Sequence, residues 1–115
     1  MNDTSDWPSD SDGDVLRRLR DHGIDFGRPH AIDFNVDFSV WPPAPEAIAL
    51  LKREFQLVTI HDPDGQSGGD VVVKVVGIVS YSFVVQMQAT ISELMVPFGG
   101  VCEGWGVLLA AKNSN

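Results

Sequence analysis

The sequence predicts an α+β domain in which helices cover one face of an antiparallel sheet. Two segments carry this prediction. Residues 30–40, HAIDFNVDFSV, alternate between apolar and polar side chains, which is typical of a strand with one buried and one open face. Residues 82–96, SFVVQMQATISELMV, carry apolar side chains at helical spacing, and Pro97 ends that helix.

The N-terminal part is predicted to form a short helix. This helix is expected to begin near Asp12, where Ser11 and Asp14 resemble a capping box, and to end at Gly23, since glycine is favoured just after a last helical turn. The residues before it are polar and acidic, and such a composition is typical of a disordered tail.

The rest of the chain is predicted to form one more helix and three more strands, joined by turns. WPPAP leads into a helix predicted at about 45–55, with Pro45 in its first turn. QLVTIHD predicts a second strand, and DVVVKVVGIV predicts a central third strand because its valines lie on both faces. Gly99 and Gly100 then turn the chain into a last strand at 101–109.

After the first helix the order is therefore β-α-β-β-α-β, which is the ferredoxin-like arrangement. It predicts a sheet in the order 4-1-3-2 with the two later helices on one face. A chain of 115 residues has room for one domain. We place this domain at residues 12–110, between an acidic tail at 1–11 and a short tail at 111–115.

The last strand, VCEGWGVLL, determines which side chains we expect on the open face. Alternation puts Glu103 and Trp105 on one face, and Gly104 and Gly106 on the other. Because burying an unpaired carboxylate is costly, we expect the first pair to face solvent and the glycines to meet the helices. The predicted partner-binding residues are Asp33, Asn35, Asp37, Lys74, Glu103 and Trp105, and the predicted structural glycines are Gly99, Gly100, Gly104 and Gly106.

Two other arrangements fit the same residues. The open face could be an ordinary solvated sheet face, or the first helix could cover it. In a competing model Trp105 lies in the core, where its loss would cost stability instead of binding.

Charge and composition narrow the class of partner. The net charge is −8, and residues 1–14 hold five aspartates and no base, whereas a direct nucleic-acid binder usually shows a basic stripe. No apolar run is long enough to span a bilayer, and no signal-peptide pattern is visible. A single cysteine excludes an intramolecular disulfide. We therefore expect a cytoplasmic protein that binds a protein partner, not nucleic acid or a membrane.

No catalytic or metal-binding constellation is predicted. Cys102 has no zinc-like spacing to the histidines, and we expect a buried structural thiol. Asp33, Asn35 and Asp37 could hold a cation, but a solvent-facing strand explains the same alternation. DSDGD at residues 10–14 departs from a calcium loop because its glycine is misplaced. We expect no enzyme activity, no cofactor and no metal.

Both ends of the domain resemble a known family. GGVCEGWGVLL, after a helix that ends ISELMVPF, resembles the C-terminal pattern of the ribonuclease E inhibitor family (regulator of ribonuclease activity B), in which a Gly-containing turn leads into an Asp-Gly-Trp-Gly strand. DGDVLRRLRDHGIDFGRPHAIDF resembles the start of that family. Glu103 stands where the family has Asp, and Cys102 stands where Tyr is common. The likeness covers about residues 12–110 in the same element order.

The resemblance implies a protein that binds the endoribonuclease of the RNA degradosome and lowers its activity, with no chemistry of its own. Two alternatives remain open from the residues alone. One is an immunity-type protein that neutralises another nuclease or toxin, since acidic inhibitors of nucleases often mimic phosphate charge. The other is a small ferredoxin-like enzyme with an unrecognised site.

Overall fold

The computed structural model describes residues 7–55, 57–64 and 68–107. Of the predicted tails, residues 1–6 and 111–115 therefore lie outside the described residues, as does the predicted end of the last strand at 108–109. The elements in chain order are α1 (Ser11–Asp21), β1 (Pro29–Phe38), α2 (Pro45–Glu54), β2 (Leu57–His61), β3 (Asp70–Ile78), α3 (Tyr81–Met95), a 3-10 turn (Val96–Phe98) and β4 (Gly100–Val107).

The four strands form one antiparallel sheet in the order β2-β3-β1-β4. The predicted α+β class is confirmed, and this order is compatible with the predicted 4-1-3-2 arrangement counted from the other edge. Phe34 of β1 pairs with Val73 of β3 on one side and with Trp105 of β4 on the other. The strand with the clearest alternation thus lies in the interior of the sheet.

The core lies between one face of this sheet and the helices. From the sheet, Ile32, Phe34 and Val36 of β1 and Val71 and Val73 of β3 are all fully buried. Burial of each such side chain stabilises the fold by about 1.5–3 kcal/mol. The helices contribute Leu16 and Leu19 of α1, Ala47 and Leu51 of α2, and Val84, Ile91 and Met95 of α3.

Helix α1 begins one residue earlier than expected and has a different cap. Asp10, not Ser11, is the N-cap residue, and its Oδ1 accepts a hydrogen bond from the Gly13 backbone N–H at 2.8 Å. The other oxygen of Asp10 accepts a hydrogen bond from the Tyr81 hydroxyl at 2.6 Å. The tyrosine bond, followed by the backbone bond, lowers the pKa of Asp10. Trp7, which we placed in the tail, packs its ring against Phe26 with centroids 5.5 Å apart.

A β-bulge in β4 reverses the faces that alternation assigned to it. Asn35 pairs with Gly104 while Val36 pairs with Cys102, so Glu103 has no partner on β1. The extra residue shifts the period of two by one position, and every side chain after it changes face. Trp105 consequently lies under the helices and is 8% exposed. The predicted exposure of Trp105 is wrong for this reason.

The chain enters β4 through a turn in which glycine is required. Gly99 has φ +78°, in the left-handed region that favours glycine, and its N–H donates to the Val96 carbonyl at 3.0 Å. Gly100 is buried, and a Cβ there would lie 2.7 Å from the Phe38 ring and 3.0 Å from Met95 Cβ. Close packing of strand and helix therefore occurs at Gly100.

Candidate functional site

The sheet has one face that no helix of the described chain covers, which we call the open face. Helices α1, α2 and α3 all contribute to the core on the opposite side. Alternation and strand register define the residues of the open face. They are Pro29, Ala31, Asp33, Asn35 and Asp37 of β1, Asp70, Val72, Lys74, Val76 and Ile78 of β3, Leu57, Thr59 and His61 of β2, and Val101, Glu103, Gly104 and Gly106 of β4.

The open face brings together five of the six residues that we predicted to bind a partner. Asp33 and Lys74 are register partners across β1 and β3, and Lys74 Nζ donates to Asp33 Oδ1 at 2.6 Å. Asp37 and Glu103 are exposed, and neither forms an ion pair with another described residue. The β1–β4 side of the open face is therefore negatively charged, because Lys74 of the neighbouring β3 is already paired with Asp33.

Large apolar side chains surround these charges. Val76 is 68% exposed, Leu57 54%, Ile78 45% and Val101 41%. These four account for most of the exposed large apolar residues in the described part of the chain. A mixed apolar and charged surface is typical of a site that binds another protein.

Gly104 and Gly106 lie on the open face and not against the helices. They pair with Asn35 and Asp33, and a Cβ built on either glycine would meet no atom within 4 Å. The prediction that these two glycines meet the helices is thus wrong. The cause is the same bulge that turns Trp105 toward the helices. The backbone of β4 is bare beside the two β1 residues.

Trp105 takes part in a contact that joins β4 to two helices. Its indole Nε1 donates to Asp12 Oδ1 at 2.9 Å, and the Gln88 side chain donates to the same oxygen at 3.0 Å. Asp12 of α1 therefore joins β4 to α3. Sequence reasoning missed this role of Asp12. The sequence did contain a signal for it. Asp12 is a carboxylate in the first turn of α1, where it can accept a hydrogen bond from a buried tryptophan N–H.

Cys102 is a free, buried cysteine on the helical side, as predicted. Burial, with a smaller effect from the carboxylates of Asp12, Asp37 and Glu103, raises the pKa of Cys102 to about 11. A thiolate and not a thiol is the nucleophile, so this side chain is poorly suited to covalent chemistry.

The histidines lie apart from one another and from Cys102. His61 Nδ1 lies 2.9 Å from Asp70 Oδ1 at the β2–β3 edge, and His30 Nε2 lies 2.8 Å from the Asp25 carbonyl oxygen. Within the described ranges no three His, Cys, Asp or Glu side chains are grouped so that they could hold a metal ion. None of the helices described here has the length and apolar character needed to cross a membrane.

The family model of RraB, regulator of ribonuclease activity B, matches residues 9–107, from just before α1 to the last residue of β4. This chain belongs to the RraB family. The resemblance seen in the sequence is thus confirmed. Comparisons with curated proteins and with solved structures give no match. The matched range includes the bulged strand, the bare glycines of the open face and the Asp12–Trp105 contact. The family is described as a regulator of ribonuclease activity.

Proposed function

We propose that this protein binds an endoribonuclease of the ribonuclease E type and lowers its activity without a catalytic step of its own. The observation that carries the proposal is the family match over residues 9–107, which describes a regulator of ribonuclease activity. As a partner of an RNA-processing enzyme, the protein would work in the cytoplasm.

The chemistry of the described residues supports a binding role. A nucleophile needs an adjacent base or a lowered pKa, and the pKa of Cys102 is raised instead. His61 lies on the open face at the β2–β3 edge and is bound to Asp70, whereas Cys102 lies on the helical side. Lys74 is held by Asp33. We therefore propose regulation by contact with the enzyme.

We further propose that the ribonuclease contacts the open face. The residues assigned to this contact are Asp33, Asn35, Asp37, Lys74 and Glu103. Trp105, the sixth residue of the predicted set, is assigned to the core because it is 8% exposed and hydrogen-bonded to Asp12. Exposed valines beside Asp37 and Lys74 supply the apolar area that charges alone do not provide.

Cleavage of a model RNA by ribonuclease E from the same organism tests the proposal. The purified protein, added at increasing concentration up to about 50 μM, should slow cleavage and reach a plateau, since even a complex of micromolar affinity forms in that range. The protein alone should leave the RNA intact. A gel-shift assay with the RNA should show no complex, which separates inhibition of the enzyme from sequestration of its substrate.

Unchanged cleavage over the whole concentration range, together with no complex in analytical ultracentrifugation, would overturn the proposal. The immunity-type alternative would then be tested by capture with other nucleases encoded near the same gene. Cleavage of the RNA by the protein alone would instead favour the enzyme alternative.

A further inference from the structure

Gly104 and Gly106 make no close contact inside the described fold, and Gly106 lies beyond the bulge that Gly104 adjoins. Glycine weakens a strand interior, since it adds backbone freedom to the unfolded chain and packs no side chain. Neither residue has a positive φ, which is found at Gly23 and Gly99 among the described glycines. Neither would place a Cβ within 4 Å of another atom, whereas a Cβ at Gly77 would lie 3.2 Å from the Phe83 ring.

A glycine such as Gly106, which neither the backbone conformation, the bulge nor internal packing requires, indicates close approach by something outside the chain. The two bare positions border charged groups on one side. Gly106 pairs with Asp33 and Gly104 pairs with Asn35, while Glu103 and Asp37 lie next along the same two strands. Val101 pairs with Asp37 and is 41% exposed. The bare backbone is therefore bordered by carboxylates and an apolar side chain.

We propose that the open face binds an extended basic segment of the protein partner, whose backbone crosses β4 over Gly104 and Gly106. Its Lys or Arg side chains reach Asp37 and Glu103, which are exposed and unpaired among the described residues. Asp33 contributes less because Lys74 already neutralises it. Carboxylates fit a cationic segment, and the absence of two side chains lets that segment lie directly on the strand.

The proposal rests on the proposed function only for the identity of the partner, so a synthetic probe tests the surface by itself. The probe is the capped peptide (Arg-Val)4, an extended sequence with one basic and one apolar edge, and (Glu-Val)4 is its charge-reversed control. Amide shifts of 15N-labelled protein should move at residues 31–37 and 101–107 with the basic peptide and not with the acidic one.

Gly106→Val separates close approach from general charge attraction, because it adds bulk on the open face without changing charge. The space around the added Cβ is empty, so the thermal midpoint of the variant should equal or exceed that of the parent. Its affinity for (Arg-Val)4 should fall about tenfold or more. Gly68→Val is the matched control, since Gly68 is exposed and also meets nothing within 4 Å. That variant should bind the peptide as the parent does.

Three results would overturn the inference. They are equal affinity of Gly106→Val and Gly68→Val, shifts confined to the helical layer or the N-terminal residues, and no shift at millimolar peptide.

Ribonuclease E distinguishes failure of this inference from failure of the proposed function. If the ribonuclease is inhibited equally by the parent and by Gly106→Val, the proposed function stands and the docking surface is wrong. If (Arg-Val)4 binds as expected but the ribonuclease neither binds the protein nor is inhibited by it, the docking surface is confirmed and the partner is a different protein.

Discussion

Trp105 lies among the helices because Glu103 occupies a bulge, and its indole N–H finds the Asp12 carboxylate there. Truncation would leave a large cavity between sheet and helices. Trp105→Ala should therefore lower the free energy of unfolding by about 3–5 kcal/mol in urea titrations. The affinity of the folded fraction for a partner should be unchanged. A stable variant with weakened binding would instead place Trp105 at the interface.

Cys102 gives a pH-dependent prediction. Its pKa of about 11 in the fold lies above the ordinary thiol value of 9.0, so the fold favours the protonated form. The contribution of the protonated thiol to the free energy of unfolding is fully present below pH 9 and is lost as the pH rises to 11. Between these values the parent should lose more stability than Cys102→Ala, in which nothing titrates at this position. Parallel stability curves for the two proteins would contradict the assignment.

The same thiol should react slowly. A pKa two units above normal lowers the thiolate fraction at pH 8 about hundredfold, and burial slows access further. Labelling with a disulfide reagent should thus be at least that much slower in the native protein than in urea. Fast labelling of native protein would show an exposed thiol.

At the scale of elements, β1 was predictable and β4 was not, for a physical reason. The alternation of β1 runs without interruption through Ile32, Phe34 and Val36, so its period identifies the buried face. The bulge in β4 comes from pairing with β1, a long-range effect that leaves no local pattern in VCEGWGV. The open face was correct on β1 and β3 and wrong on β4 beyond Glu103.

Helix boundaries also were predictable where local pattern sets them and not where a long-range contact does. The apolar spacing of α3 and the proline after it placed the helix within one residue of Tyr81–Met95. For α1, the cap moved from Ser11 to Asp10 because Asp10 is also held by the Tyr81 hydroxyl, 71 residues away in the chain. Hydrophobic periodicity describes local structure and therefore does not predict contacts between segments that are distant in the chain.

The docking of α1 depends on Asp12, whose carboxylate accepts from Trp105 and Gln88. Asp12→Ala should lower the free energy of unfolding by about 1–3 kcal/mol, because the buried indole N–H would lose its acceptor. Asp12→Asn keeps an oxygen and should cost less. The matched control is Asp14→Ala, which breaks only an exposed pair with Arg17 and should cost about 0–1 kcal/mol. Equal losses for the two alanine variants in urea titrations would contradict this role of Asp12.

The residues that stabilise the fold and the residues proposed to bind a partner lie on opposite faces of the sheet. Side chains that stabilise the fold, Trp105 and Cys102 included, lie between the sheet and the helices. Exposed carboxylates and valines lie on the opposite face, where substitutions disturb little of the core. Binding and stability should therefore respond to different sets of variants, and charge should act through the open face.

Electrostatic steering tests this division. Asp37→Lys with Glu103→Lys adds four charges, as does the control Asp21→Lys with Glu93→Lys on exposed positions of α1 and α3, so both change the net charge from −8 to −4. The open-face variant should slow association with the ribonuclease about tenfold or more at low salt and flatten its salt dependence, since complementary charges guide encounter. The control should keep nearly the parent rate, as measured by stopped-flow fluorescence. Equal slowing of both variants would mean that net charge, and not the open face, attracts the partner.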